Sequence, residues 1–479
     1  MPIPFLLIDK PMTTPYLLQR LVLLFGFLIA PAAWSAAAVV PPPPQLAAKS
    51  WVLMDAASGN VLVDHQGNQR LPPASLTKLM TSHVAALELQ RGRIKEGDLV
   101  TISEKAWRMG GSKMFVKVGN QVAVHDLLRG IIVQSGNDAS IALAEHLAGG
   151  EDTFAALMNQ EAKRLGLADT HFVNATGWPA EGHYSSALDM AKLARAIVIE
   201  DPEHYALYKE KEFVWNDIKQ PNRNLLLWRD PSVDGLKTGH TEEAGYCLVA
   251  SAQRDGQRLI AAVFGTTSEA ARASETAKLL GYGFNFYTSK TFYKQGETVQ
   301  DVPVWKGSAR SVKAGVAADF AAALPKRGGE GHQTRDALKP GDLIAPVAAG
   351  AQLGTVELAD AQGKVVAQAP LIALEAVEEG GFFRPHRDNT TKGTAHRRFA
   401  VTINLNAGDY QGGDLRFPEY GERTYRAPTG GAVVFSCSLL HEATEVTSGT
   451  RYAYLPFLYA DDDAELRRRN EVFLESNRG

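Results

Sequence analysis

The sequence predicts a multidomain chain. An α+β unit, a helical lobe against an antiparallel sheet, is followed by a small all-β unit and then a third strand-rich stretch. Three observations predict this. At 479 residues the chain exceeds one ordinary domain. Helical patterns, with apolar residues three and four apart, give way to antiparallel strand patterns at VDGLKTGHT. From near Lys290 the pattern changes again, to short alternating stretches broken by Gly, Asp and Pro, as in a small β-sandwich or barrel. An apolar fraction of 45% suits a globular protein, and a net charge of −3 with interleaved signs offers no surface for nucleic acid.

In chain order, LVLLFGFLIAPAAWSAAA is an apolar run behind Arg20 that ends in small residues. It reads as a secretory signal over 1–37, with an uncleaved N-terminal anchor as the alternative; both export the protein. PPPPQLAAK belongs to a stiff linker at 38–46. SWVLMDAASGNVLVDH alternates as a hairpin does, with its turn at Ser58-Gly59-Asn60. The two cysteines, Cys247 and Cys437, are too few for a disulfide framework and are expected as buried apolar residues.

In LPPASLTKLM, Pro72 and Pro73 cannot continue a helix, so one is expected to start after them and stop near Gly92. Residues three apart share a helix face, which would set Ser75 beside Lys78 as a serine nucleophile beside a lysine base. SxxK alone also fits a solvated helix start. Gly110-Gly111-Ser112 reads as a flexible rim. HDLLRGIIVQ, DASIALAEHLAG, EDTFAALMNQEAKRLG and SALDMAKLARAIVIE are helical, most with a buried stripe and a wet face. Asp152 suits a helix start, and Ser186 with Asp189 resembles a capping box. Ser135 and Asn137 fall between two helical runs, from which their side chains can point into a cleft. VDGLKTGHT, AGYCLVASAQRD and QRLIAAVFGTT are strands, and EAARASETAKLLGYGFNFY is a closing helix that carries Arg272.

Ser75 with Lys78 (SxxK), Ser135 with Asn137 (SxN) and Lys237-Thr238-Gly239 (KTG) stand in the order found in penicillin-binding proteins and class A β-lactamases. With HYSSALDMAKLAR, NRNLLL and KLLGYGF, they make residues from about 45 to 383 resemble a low-molecular-mass penicillin-binding protein of the D-alanyl-D-alanine carboxypeptidase type. The resemblance implies a penicillin-binding, serine β-lactamase-like transpeptidase fold over 47–289 and a β-rich domain over 290–383. It implies removal of the terminal D-alanine from peptidoglycan stem pentapeptides through an acyl-enzyme, acylation by β-lactams, and no cofactor. Ser75 would be the nucleophile and Lys78 its base, with burial and Lys237 lowering the Lys78 pKa. Ser135 would relay a proton to the leaving amine, Asn137 would hold Lys78 and the substrate amide, and Lys237 would supply positive potential. Thr238 and Arg272 would bind the substrate carboxylate beside Gly239, and the N–H groups of Ser75 and His240 would form the oxyanion hole. A serine β-lactamase and an inactive peptidoglycan-binding protein are the alternatives.

Carboxypeptidases of this type continue with an amphipathic helix on the inner membrane. Here the chain runs on past EEGGFF as RPHRDNTTKG. His386 and Asp388 are two apart, which on a strand faces them the same way, and His441 follows a strand-like run. Two histidines and a carboxylate suit non-haem Fe(II), and Arg451, expected in the next strand, could pair with a carboxylate. With YQGGDLRF and GTRYAYLPFLY, residues 384–479 resemble the core of a 2-oxoglutarate/Fe(II) dioxygenase. That implies a partial double-stranded β-helix (jelly roll), Fe(II) at His386, Asp388 and His441, and 2-oxoglutarate at Arg451. The peptidase is the expected function, and a bifunctional protein is the alternative. The expected location is the periplasm, soluble or loosely peripheral on the inner membrane.

Overall fold

The computed structural model describes residues 40–470 apart from Glu330, Gly381 and Phe382, so the expected signal at 1–37 lies outside the described residues. Strands β1 (Ser50–Asp55) and β2 (Val61–His65) form the expected hairpin. The Asp55 carboxylate closes the turn by accepting from the N–H and hydroxyl of Ser58, so this SGN is structural.

After Pro72 and Pro73, a 3-10 turn at Ala74–Leu76 runs into α1 (Thr77–Gln90), and Gly92 follows at φ +68°. Helices α2 (Val124–Arg129), α3 (Asn137–Ala148), α4 (Glu151–Arg164) and α5 (Ala187–Glu200) complete the lobe. HDLLRGIIVQ is not one regular helix: α2 widens into a π-helical turn at Gly130–Gln134. Of these helices α4 shows a buried stripe and a wet face, but α3 does not. Residues Asn137–Ala144 are buried on every side, as are Thr77–Ala86 of α1, because these two helices lie inside the lobe. Asp152 sits in the first turn of α4, where Gly150 is the cap. Ser186 caps α5 by accepting from the Asp189 N–H. The Asp189 carboxylate turns instead to the Asp169 N–H and the Thr170 hydroxyl, so half of the expected box forms.

Strands β3 (Val233–Thr241), β4 (Gly245–Arg254) and β5 (Gln257–Thr266) complete a sheet whose order, among the described residues, is β2-β1-β5-β4-β3, antiparallel throughout. The β4–β5 turn places Asp255 and Gly256 at φ +48° and +82°, the twist a two-residue hairpin needs. Helix α6 (Glu269–Phe286), capped by Ser268, closes the unit against the sheet. As an edge strand, β3 leaves one side free to face the helical lobe.

The all-β unit runs from β6 (Tyr287–Tyr293) through β7 (Thr298–Trp305), β8 (Ser311–Val316), β9 (Phe320–Pro325), β10 (Gln333–Leu338), β11 (Leu343–Ile344), β12 (Gln352–Ala359) and β13 (Val365–Ala373). Its main sheet has the order β10-β12-β13-β8-β7-β11 among the described residues, with β6 and β9 paired separately. In the last stretch, β14 (Phe383–His386), β15 (Phe399–Asn404), β16 (Leu415–Arg416), β17 (Thr424–Tyr425), β18 (Ala432–Ser436), β19 (His441–Ala443) and β20 (Ala453–Tyr454) form two curled sheets. Their orders are β14-β19-β16-β17 and β18-β15-β20, and Leu415, Phe417, Phe435 and Cys437 fill the space between them, a partial jelly roll. Both cysteines are buried and unpaired.

Candidate active site

The cleft between β3 and the helical lobe encloses about 750 Å³ and is lined by Ser75, Ser135, Asn137, Thr238, Gly239, His240 and Arg272, among others. Residues from a 3-10 turn, a helix junction, a strand and the closing helix thus converge on one space. Beneath Ser75, Lys78 is 1% exposed. Its Nζ lies 3.0 Å from Ser75 Oγ, 2.7 Å from Asn137 Oδ1 and 2.6 Å from the Thr176 carbonyl. The last two oxygens can only accept. A neutral amine that donates to both therefore turns its lone pair to the Ser75 hydroxyl. Burial lowers the Lys78 pKa to about 7; the Arg223 guanidinium adds to the shift and Asp138 opposes it. Arg223, which the sequence did not single out, is thus a cation that joins burial in lowering it.

Ser135 holds a left-handed φ of +67°, and its buried Oγ has no hydrogen-bond partner. Ala74, before Ser75, is also left-handed, at +48°. Such strain persists where surrounding structure enforces it, and here it falls on two residues beside the cleft. Lys237 is buried, its Nζ donating to the Thr238 carbonyl, and its pKa is held well below the ordinary lysine value by burial and by Lys78, Arg223 and Arg272. Arg272, 2% exposed, donates to the Arg223 carbonyl at 3.3 Å, and burial lowers its pKa. It is not a solvated residue of the closing helix. The His240 ring is exposed and stacks on Tyr246 with centroids 3.9 Å apart. Gly239 lies so near the 3-10 turn at Ala74–Leu76 that a Cβ would come within 2.9 Å of the Pro73 carbonyl oxygen, so side-chain-free backbone is what lets β3 reach Ser75.

Sequence reasoning missed three parts of this cleft. Arg223 lines it, although NRN carries no pattern that tells a cleft residue from a surface one. Trp178 stands half-exposed at the rim. The expected flexible rim is pinned: Asn137 Nδ2 donates to the Gly110 carbonyl, its N–H to the Ser112 carbonyl, and the Asp138 carboxylate accepts from the N–H groups of Met114, Phe115 and Val116.

A second pocket, about 250 Å³, lies between the two curled sheets. His386, Asp388 and His441 line it, with ligand-type atoms all within 4.8 Å of one another. Asp388 lies beyond the end of β14, yet its carboxylate meets His386 Nε2 at 3.3 Å and His441 Nε2 at 3.4 Å. Each ring donates Nδ1–H to a backbone carbonyl two residues back, Arg384 and Leu439, which turns both Nε2 atoms inward. Arg451 lines the same pocket from the break between two short strands rather than from within one, and its buried Nε has no partner. Arg397, not foreseen, stacks on Phe457 at 3.8 Å beside them. These residues fit a divalent cation and a small anion. Another His/Glu group, His83, Glu161 and Glu200, is bridged by Arg164, which fills the cation's place.

Comparison with known proteins follows the same division. The family model D-alanyl-D-alanine carboxypeptidase matches residues 36–268, the model penicillin-binding protein 5, C-terminal domain matches 287–379, and the 2OG-Fe(II) oxygenase superfamily matches 372–459. The chain is 44% identical over 366 residues to the D-alanyl-D-alanine carboxypeptidase DacC of Escherichia coli (strain K12), covering 75% of this chain and 91% of that protein. It is 43% identical to DacD of Salmonella typhimurium, covering 75% and 94%. Penicillin-binding protein 5 from Haemophilus influenzae superposes with a TM-score of 0.66 at 42% identity, over 71% of this chain and 99% of that one. The chain belongs to the D-alanyl-D-alanine carboxypeptidase family of penicillin-binding proteins and carries behind it a 2OG-Fe(II) oxygenase-like domain.

Proposed function

We propose that the chain is a serine-type D-Ala-D-Ala carboxypeptidase that removes the terminal D-alanine of peptidoglycan stem peptides in the periplasm and is acylated by β-lactams. The observation that carries this reading is Lys78 Nζ at 3.0 Å from Ser75 Oγ, buried and with a pKa of about 7. Ser75 Oγ bonds to the carbonyl carbon of the terminal peptide bond as Lys78 takes its proton. The N–H groups of Ser75 and His240 carry the oxyanion, and Ser135 relays a proton to the D-alanine nitrogen as the C–N bond breaks. Asn137 fixes Lys78. Thr238 and Arg272, with Arg223, receive the terminal carboxylate beside Gly239, and Lys237 adds positive potential. Water then attacks the ester, gives a proton to Lys78, and Ser75 leaves reprotonated. The division that goes with this is the peptidase at 47–289, its β-rich domain at 290–383 and the oxygenase-like segment at 384–479. A fluorescent penicillin should label the full chain and leave Ser75→Ala unlabelled; labelling that survives in the variant would remove Ser75 from this role.

A second reading concerns the other pocket. His386, Asp388 and His441 would hold Fe(II), and Arg451 would pair with a carboxylate of 2-oxoglutarate. Bound together, these groups supply oxygen-activating chemistry. The inward Nε2 atoms and the unpartnered Arg451 favour it. Anaerobic titration of the full chain with Fe(II) and 2-oxoglutarate should give a saturable visible charge-transfer band that His386→Ala lacks. If no band forms, this reading fails and the peptidase stands alone.

A further inference from the structure

The segment from Val173 to Gly177 covers the buried side of the nucleophile helix, and its contacts with α1 are regular. Lys78 Nζ donates to the Thr176 carbonyl at 2.6 Å, and Thr81 Oγ1 donates to the Ala175 carbonyl at 2.7 Å. Asn174 Oδ1 tightens the segment by accepting from the N–H groups of Thr176, Gly177 and Trp178. One side chain outside the segment joins it to the helix. His183 is buried, with its ring edge-on to Phe172. The Val173 N–H donates to His183 Nδ1 at 2.9 Å, and His183 Nε2 lies 2.8 Å from Thr77 Oγ1.

The tautomer follows from these contacts. A backbone N–H only donates, so Nδ1 is the acceptor and the proton of a neutral ring sits on Nε2, from which it is donated to Thr77. Protonating the ring would put a hydrogen on Nδ1 against the Val173 N–H and break that bond. Burial, with His171 and Lys78 as neighbouring cations, lowers the His183 pKa to about 4, so the ring stays in this one form at neutral pH.

We infer that His183 is a positioning residue for Lys78: it clamps the segment carrying the Thr176 carbonyl to Thr77, adjacent to Lys78 in α1, and so keeps water from the amine. This rests on the reading of Lys78 as the base. The charged groups acting on Lys78 are Arg223 and Asp138, with Lys237 nearby, and none of them contacts His183. Loosening the clamp therefore changes the hydration of the amine and leaves its charged neighbours in place. Since burial is the largest cause of the lowered Lys78 pKa, admitting water raises it.

The test is the second-order rate of acylation of the full chain by a fluorescent penicillin, from about pH 5 to about pH 9. Two substitutions divide the ring's functions. His183→Asn keeps an acceptor near the Nδ1 position and loses the reach to Thr77. His183→Gln can reach Thr77 with an amide N–H. The wild type should show a rising limb with a midpoint near 7. His183→Asn should move the midpoint up by about one unit, which lowers the rate about tenfold below pH 7 and leaves the high-pH plateau within about twofold. His183→Gln should recover most of the shift. Where His183→Asn fails to fold, Thr77→Val, which removes the hydroxyl at constant shape, should give the same displacement. A limb that stays in place in folded variants, whether the rate is unchanged or falls equally at every pH, overturns the positioning role. A wild type without a limb near neutrality overturns the base assignment instead.

Discussion

At Lys78, water is excluded from the amine, Arg223 adds like-charge repulsion, and Asp138 opposes both. The charged form is the disfavoured one, so the neutral fraction grows as pH rises through about 7, and any step that needs the free amine speeds up over the same interval. The glycine at 177 is a residue-scale requirement of another kind. It holds φ +80°, and a Cβ there would lie 1.8 Å from the Ala74 carbonyl oxygen, in the strained residue just before Ser75. Gly177→Ala should therefore destabilise the peptidase by about 3 kcal/mol or more and slow acylation, since backbone on both sides must move. Urea denaturation with penicillin acylation measures both, and a variant as stable as the wild type would contradict the packing described.

Among the elements, the start of α3 does more than carry Asn137. Its second residue, Asp138, is 1% exposed and accepts from four backbone N–H groups, those of Met114, Phe115, Val116 and its own neighbour Ala139. Phe115 holds φ +70° within this arrangement, so the carboxylate fixes a loop that would not adopt its shape alone. Replacing Asp138 by Ala leaves several buried donors unpaired and should cost about 3–5 kcal/mol by chemical denaturation; Asn, which keeps one oxygen acceptor, should cost about half as much. Equal costs for the two variants would mean that the carboxylate is not what holds the loop. The π-helical turn ahead of Ser135 belongs at this scale too: it re-aims the chain so that Ser135 and Asn137 both face the cleft.

Across the whole molecule, the first strand of the oxygenase-like segment contacts the β-rich domain directly. Arg384, two residues before His386, donates to the Val304 carbonyl at 2.7 Å and stacks its guanidinium over Trp305 at 5.5 Å. Among the described residues no helix is long and apolar enough to cross a membrane. The described stretch behind the β-rich domain is built of short strands followed by a polar helix at Asp463–Asn470. With the signal at 1–37 cleaved as the sequence predicts, fractionation should release the mature protein from membranes with salt, and a pellet that yields only to detergent would contradict this.

The cleft's chemistry was legible in sequence because it depends on short-range spacing. Ser75 and Lys78 share a face three residues apart, and KTG lies on a strand whose apolar pattern is local. The hairpins and the closing helix were legible for the same reason, through turn residues such as Asp255-Gly256 and caps such as Ser268, whereas the pairing of β1 with β5 across some two hundred residues was not. Other features depend on which distant segments meet, and no local pattern encodes that. Arg223 came to act on Lys78 only when the chain around NRN folded over the cleft. The GGS rim, flexible by composition, is tied down by two hydrogen bonds because Asn137 arrives from another element. The first eight residues of helix α3, patterned like a half-wet helix, are dry because the lobe closes around them. The two histidines and Asp388 were suggested by spacing, but the inward turn of both rings needs backbone carbonyls placed by the curled sheets. By itself the sequence determined residue types and their local geometry, whereas burial and the identity of each charged neighbour, which set every pKa here, were decided by tertiary packing.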